Sequence, residues 1–358
     1  MSNHIDEQLF DQAINQALQT LQVGAGETRE MQAKLEVLQK RIFGLLSTID
    51  PTAVQRSGPR RARLLRFLDE MEALVKAEFK GIIRDFKKTI LDSTKLQIEK
   101  TATELQEAFN VPLKSNINPK EFVVGIAIEG TPIPEVFDRL GVKITQNTAD
   151  VVRQGMVTGS SITQMGKDLA IKDKVIQRNA EALVRTTIAA VNNGVREETF
   201  LENKDVIPMI QWVATLDSRT TDICRALDGK RWFNTTKKPV GHNFVYPSGG
   251  VAHVNERSVT VAAFPDDDNS DVLRPAKQPS ITKKEAKEAG VKSKPQKRTT
   301  VPANITYGQW LKKLDKAQQK KILGPGRFKL FNEGKLKVED LVDKNLNPLT
   351  IKELKRLK

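Results

Sequence analysis

Pro208-Met-Ile-Gln-Trp-Val-Ala-Thr-Leu-Asp-Ser-Arg-Thr-Thr-Asp-Ile-Cys-Arg-Ala-Leu-Asp-Gly-Lys230 is the stretch on which the fold class turns. As far as Thr215 it is rich in β-branched and aromatic residues, which predicts a strand. Asp217, followed by Ser218 and Thr220, reads as a helix start, because short side-chain oxygens cap the free amides of a first turn. Arg219 and Arg225 can pair with nearby carboxylates, and Asp228-Gly229 closes a tight turn after the helix. Further β-like pieces at 230–233 and 258–263 flank a Gly/Pro-rich loop at 239–250. Residues 206–264 are therefore expected to form a small α+β module.

Upstream the pattern is helical. Leu35, Leu38, Ile42, Leu45 and Ile49 follow one another at steps of 3, 4, 3 and 4, a seam for another helix. Asp50-Pro51 ends that helix, since proline removes a donor and restricts the residue before it. Gly58-Pro59 begins the next, proline suiting a first helical position, and the same spacing runs through Leu64, Leu68, Met71, Val75, Phe79, Ile82 and Phe86 towards Ile98 and Leu105. Residues 1–110 thus read as a long antiparallel helical hairpin. Residues 111–205 read as a helical domain. Its first part is broken by Pro112, Pro119, Pro132 and Pro134, with a short β-branched run at 121–128. Separate helices are expected at 136–140, 147–156, 162–170 and 173–203. The last carries Ala180, Leu183, Val184, Thr187, Ile188 and Val191 on one face. Gly159-Ser160-Ser161 supplies an N-cap region.

Downstream, 265–303 is rich in Lys, Pro, Ser and Asp, too polar to offset its ordering entropy, and reads as a flexible linker. Residues 304–358 read as a basic helical segment, with a helix stopping at Gly324-Pro325-Gly326 and short helices after it. The fold class expected is α+β, predominantly α-helical: hairpin, helical middle domain, small module, linker and short helical C-terminal segment.

The chain has 358 residues and a net charge of +14. Residues 304–358 alone hold 14 Lys plus Arg against 6 Asp plus Glu. An excess of that size points to an acidic partner, such as nucleic acid or an acidic protein surface. No apolar stretch approaches the roughly 20 residues of a membrane span, and the first residues lack the basic and apolar regions of a secretory signal, so synthesis in a cytoplasm is expected. One cysteine, Cys224, excludes an intramolecular disulfide.

Polar groups suited to chemistry gather in one module: Asp217, Arg219, Asp222, Cys224, Asp228, His242 and His253. Cys224, His242 and His253 are the candidates for a metal site, although their spacing matches no short zinc signature. Asp217, Asp222 and Asp228 are the carboxylates that a Mg²⁺-dependent nuclease would use. A cysteine nucleophile would need a histidine oriented beside Cys224, whereas the apolar Ile223, Ala226 and Leu227 around it favour a half-buried structural thiol. No phosphate-cradling glycine loop is present: Gly155 and Gly159 lack the preceding strand and the lysine. A helix-turn-helix reader would need a basic recognition helix, and none is evident. No cofactor and no metal are expected.

Trp212 to Lys230 resembles the central signature of the phage head-morphogenesis family, the minor head proteins similar to the F protein of phage Mu. Ala182-Leu-Val-Arg-Thr-Thr-Ile-Ala-Ala-Val-Asn-Asn-Gly194 is similar to the family's helix before that signature. Tyr307-Gly-Gln-Trp-Leu311, the run through Gly324 and Arg327, and Asn332-Glu-Gly334 resemble its C-terminal segment. The resemblance assigns structural signature positions to Trp212, Asp217, Arg219, Thr220, Cys224, Asp228, Gly229, His253, Asn255 and Arg257. It assigns a C-terminal motif to Trp310, Leu311, Gly324, Arg327 and Gly334. Glu256 stands where the family usually has a second cysteine, which weakens a Cys/His cluster.

What the resemblance implies is a non-enzymatic minor head protein of a tailed bacteriophage, made in the host cytoplasm and located in the virion or procapsid interior. Its expected partners are the portal protein, the major capsid or scaffold proteins, and packaged double-stranded DNA bound without sequence preference. Lys312, Lys313, Lys320, Lys321, Arg327 and Lys329 are the residues expected to touch DNA. The alternatives are a phage-encoded metal-assisted nuclease or hydrolase, and a plain non-specific DNA-binding protein. The sequence leaves the oligomeric state open.

Overall fold

In a computed structural model the structure describes residues 2–47, 58–110, 113, 115–128, 131–158, 160–247, 250–265 and 269–356. The long helices α1 (Ser2–Ser47) and α2 (Gly58–Phe109) run antiparallel. Lys34 meets Asp85 at 3.1 Å, Arg41 pairs with Glu78, and Lys100 bonds Gln19, so one number falls as the other rises. The predicted seam holds: Leu35, Leu38 and Ile42 are buried, Leu45 is partly so, and Ile49 lies outside the described residues, as does the Asp50-Pro51 stop. On α2 the stripe from Leu68 to Phe86 is buried with Leu105, while Ile98 is half-buried and the side chain of Leu64 is outside the description.

The run at 121–128 does not begin as a strand. Asn118 caps, and Pro119 starts, a short helix α3 (Pro119–Gly125) before a hairpin of β1 (Ala127–Ile128) and β2 (Thr131–Pro132). The pieces expected as separate helices merge into α4 (Ile133–Thr158) and α5 (Ile162–Glu202). Ser161 caps α5, its hydroxyl accepting from the Gln164 amide. The predicted face from Ala180 to Val191 is buried against α1, α2 and α4.

After α5 comes a four-stranded antiparallel sheet of order β5-β4-β3-β6. It is built from β3 (Met209–Val213), β4 (Arg231–Phe233), β5 (Pro239–Val240) and β6 (Val259–Ala263), with α6 (Asp222–Leu227) between β3 and β4. Ile210 faces Trp232 on one side and Ala262 on the other. The N-terminal end of α1 lies on β6: Phe10, Ala13 and Ile14 pack with Val213, Val259 and Val261. The start of the helical region and the module expected from the sequence therefore share one interior.

Within the stretch expected as a flexible linker, 265–303, the described residues 269–303 are structured. Strands β7 (Leu273–Gln278) and β8 (Lys297–Pro302) pair antiparallel around α7 (Lys283–Ala289), which has a Thr282/Glu285 capping box. The composition reads as polar because the ladder consumes backbone groups and few apolar residues are needed: Val272, Ala276, Ile281 and Ala286 supply the buried surface. Beyond it lie α8 (Tyr307–Lys313), α9 (Lys316–Asn332), a 3-10 turn (Val338–Leu341) and α10 (Ile351–Leu354). Asp315 starts a new helix where one continuous helix was expected, and α9 kinks at Gly324, whose φ of 74° suits glycine, followed by Pro325. No helix among the described residues is long and apolar enough to cross a membrane.

Candidate functional site

The segment between β3 and β4 is held by three aspartates, each taken up by arginine. Asp217 does not cap the helix as the sequence suggests. It folds a turn, accepting from the Arg219 and Thr220 amides at 2.9 and 3.0 Å, and takes a two-pronged ion pair from Arg257 at 2.7 and 2.8 Å. Burial raises its pKa, but the Arg257 hydrogen bonds and charge and the Arg219 amide outweigh burial and hold the carboxyl at about 2. The cap of α6 is Thr221. Arg219 reaches Asp217 only at 3.6 Å and is exposed.

Asp222 pairs with Arg225 at 3.0 Å and with Arg327. Asp228 is the most enclosed: it accepts from the Ala214 amide at 2.7 Å, the Tyr307 amide at 2.6 Å and Arg274 at 3.0 and 3.2 Å. Gly229, at φ 79°, turns the chain beside Thr306, leaving no room for a Cβ. Trp212 is fully buried in the sheet core with Trp232, and Trp310 and Leu311 fill a second core with Leu216 and Tyr307. Gly334, at φ 71°, ends the helix after α9's kink.

These links could not be read from spacing. Arg274 sits in the stretch taken for a linker, and Tyr307 donates its hydroxyl to the Asp217 carbonyl at 2.7 Å from 90 residues away in sequence. The carboxylates that a Mg²⁺-dependent nuclease would use are thus engaged by guanidinium groups and do not converge on an open site.

Cys224 and His253 do meet: Sγ lies 3.1 Å from Nε2. His242 does not join them. Its Nδ1 accepts from the Phe244 amide at 3.2 Å, its Nε2 bonds the Arg231 carbonyl at 2.8 Å, and its ring stands edge-on to Trp232, so it is a packing residue. The third member is Glu256, expected to weaken such a cluster, whose carboxylate oxygens lie 3.3 and 3.4 Å from the thiol and 3.6 Å from His253 Nε2. Asn255, in the left-handed region at φ 65°, makes the turn that brings His253 and Glu256 to one side. Cys224 is buried, and burial, with the adjacent Glu256 charge, pushes its thiol pKa well up, which opposes the thiolate that a nucleophile requires. The group borders a cavity of about 570 Å³ lined also by Thr20 and Gly24 of α1, Asn193 of α5, and Arg219 and Arg257.

Of the residues expected to touch DNA, Lys312, Lys313, Lys320 and Lys329 are exposed, with no acidic partner at ion-pair distance among the described residues. Lys321 is bonded to Glu285 at 3.0 Å, and Arg327 is occupied by Asp222 and by the Leu349 carbonyl at 3.0 Å. Arg327 thus serves as an internal tie.

Residues 146–259 match the family model described as Phage Mu protein F like protein. The match runs from within α4 through α5 and the signature segment to the first residue of β6. It bears out the resemblance read from the signature and the helix before it. No curated protein and no solved structure gives a match.

Proposed function

We propose, on the premise that residues 146–259 belong to the phage Mu protein F-like family, that this chain is a minor head protein of a tailed bacteriophage. It acts in head morphogenesis by binding the portal and capsid or scaffold proteins. Packaged DNA is the second partner, met by the exposed lysines of α8 and α9 through sequence-independent phosphate contacts.

The observation that carries this reading is the family match, which falls on the segment where the polar residues serve internal ties. Asp217, Asp222 and Asp228 are consumed by Arg257, Arg327 and Arg274, as expected of a scaffold and unlike a carboxylate nuclease. Tagging the protein in its phage and analysing purified procapsids tests it. Co-purification with portal and capsid subunits, and loss of infectious particles when the gene is removed, are the expected results. Complete, infectious heads formed without the gene would overturn the reading.

A further inference from the structure

We infer that Cys224, His253 and Glu256 form a zinc-binding site, filled by one thiophilic divalent cation per chain. Their ligand atoms, a thiol sulfur, a ring nitrogen and a carboxylate oxygen, all lie within 4.8 Å of one another. With Oε2 of Glu256 as the oxygen, the edges of the triangle are 3.1, 3.4 and 3.6 Å. Zinc bonds of about 2.0–2.3 Å at tetrahedral angles give ligand separations of about 3.3–3.6 Å, so the triangle is one face of such a tetrahedron with little movement needed.

The supporting shell agrees. His253 Nδ1 stands 2.7 Å from the Val254 carbonyl, which can only accept, so this nitrogen carries the proton and the lone pair is on Nε2, which lies 3.1 Å from Cys224 Sγ and 2.8 Å from the Thr221 hydroxyl. Glu256 is fixed by the Ser258 amide at 2.7 Å, the Arg257 amide at 2.8 Å and the Ala252 amide at 3.2 Å. The carboxylate is therefore pre-oriented, as second-shell bonds orient metal ligands. Binding releases the thiol proton to solvent, and thiolate plus carboxylate neutralise the dication.

The same three groups make a poor catalytic triad. The carboxylate faces the sulfur itself, where it opposes a thiolate, and His253 Nδ1 is held by a backbone carbonyl. With a cation between them that juxtaposition becomes attractive. The fourth position faces the cavity beside the Thr221 hydroxyl, 2.8 Å from His253 Nε2, and takes a water. The ion would tie the turn at 253–256 to α6.

Cobalt titration of the reduced full-length chain tests the site, since a thiolate ligand gives Co²⁺ a near-ultraviolet charge-transfer band and tetrahedral geometry gives strong visible bands. Saturation at one equivalent is expected, with displacement by Zn²⁺ and a rise in Tm on adding Zn²⁺. Cys224→Ser should abolish the charge-transfer band, and Glu256→Gln and His253→Ala should each weaken Co²⁺ affinity at least 10-fold. Circular dichroism of each variant identifies any that fail to fold, and the wild-type titration decides the matter without them. Absence of the charge-transfer band in the folded wild-type chain, or its survival in folded Cys224→Ser, would overturn the proposal. The readout is independent of any role in phage heads.

Discussion

At the scale of single residues, three carboxyl groups have consequences that can be measured. Asp228 and Arg274 are both buried and face one another. Asp228→Asn would leave a guanidinium in the interior without its counter-charge, and a loss of about 3–5 kcal/mol is expected in urea unfolding; a loss below about 1 kcal/mol would show that the pair is not the tie described. Asp217, held at about 2 against an ordinary 3.8, contributes stability that is complete above pH 4 and disappears as pH falls from there towards 2. The contribution is at most about 2 kcal/mol, and Asp217→Asn should remove that slope. Glu197 works in the opposite sense. Burial is the main cause that lifts its pKa from 4.5 to about 7, although the Tyr246 hydrogen bond pulls it down. A raised pKa means that the folded state keeps its proton longer, so stability is full below pH 4.5 and declines as pH rises to 7, by about 3 kcal/mol. Glu197→Gln, which leaves an acceptor for Tyr246, should flatten that decline; an unchanged pH profile of Tm would contradict the assignment. The positions of Asp217, Asp228 and Cys224 were legible as a signature, but their partners were not. Arg257 is 40 residues from Asp217, Arg274 is 46 from Asp228, and Glu256 is 32 from Cys224. No local spacing rule links residues that only the sheet and the β7-β8 hairpin bring together. Glu256 was legible only as a missing cysteine, because its ligating geometry depends on the turn at Asn255.

At the scale of elements, the long helices and the sheet strands were legible because apolar periodicity is local. Breaks were harder. The expected break at Ser160-Ser161 is real. Residues 162–170 and 173–203 read as separate helices, yet α5 continues through both because the tertiary contacts of its Ala180 to Val191 face outweigh weak local propensity. The error at 265–303 had another cause: composition predicts disorder when a segment must bury its own core, but here Ala276 borrows the core of α8 and α9. That borrowing fixes what the C-terminal segment does. Tyr307, Trp310 and Leu311 are buried with Leu216 and Ala276, so Leu311→Ala should cost about 2–5 kcal/mol whereas Lys312→Ala, on the exposed face, should change stability by less than about 0.5 kcal/mol. Equal effects of the two in thermal unfolding would refute the packing. Deleting residues 304–358 would also strip the Tyr307 amide from Asp228, so loss of DNA retention after such a deletion would report unfolding as readily as lost contacts.

At the scale of the whole molecule, the net charge of +14 acts only through the cations that internal acids leave available. Lys321 and Arg327 are committed to Glu285 and Asp222, while Lys312, Lys313, Lys320 and Lys329 stand exposed on α8 and α9. If the proposed contact with packaged DNA uses these four, each phosphate neutralised releases counterions and adds about 0.9 to the slope of log K against log salt. Changing all four to Gln should therefore lower that slope by about 3 to 4, with no change in Tm, when binding to random double-stranded DNA is followed by fluorescence anisotropy across a salt series. Arg327→Gln should do the reverse, lowering Tm through loss of the Asp222 tie while leaving the slope within about 1 of the wild-type value. An undiminished slope in the quadruple variant would remove α8 and α9 as the DNA-facing surface and leave the family-matched region to act through protein partners alone.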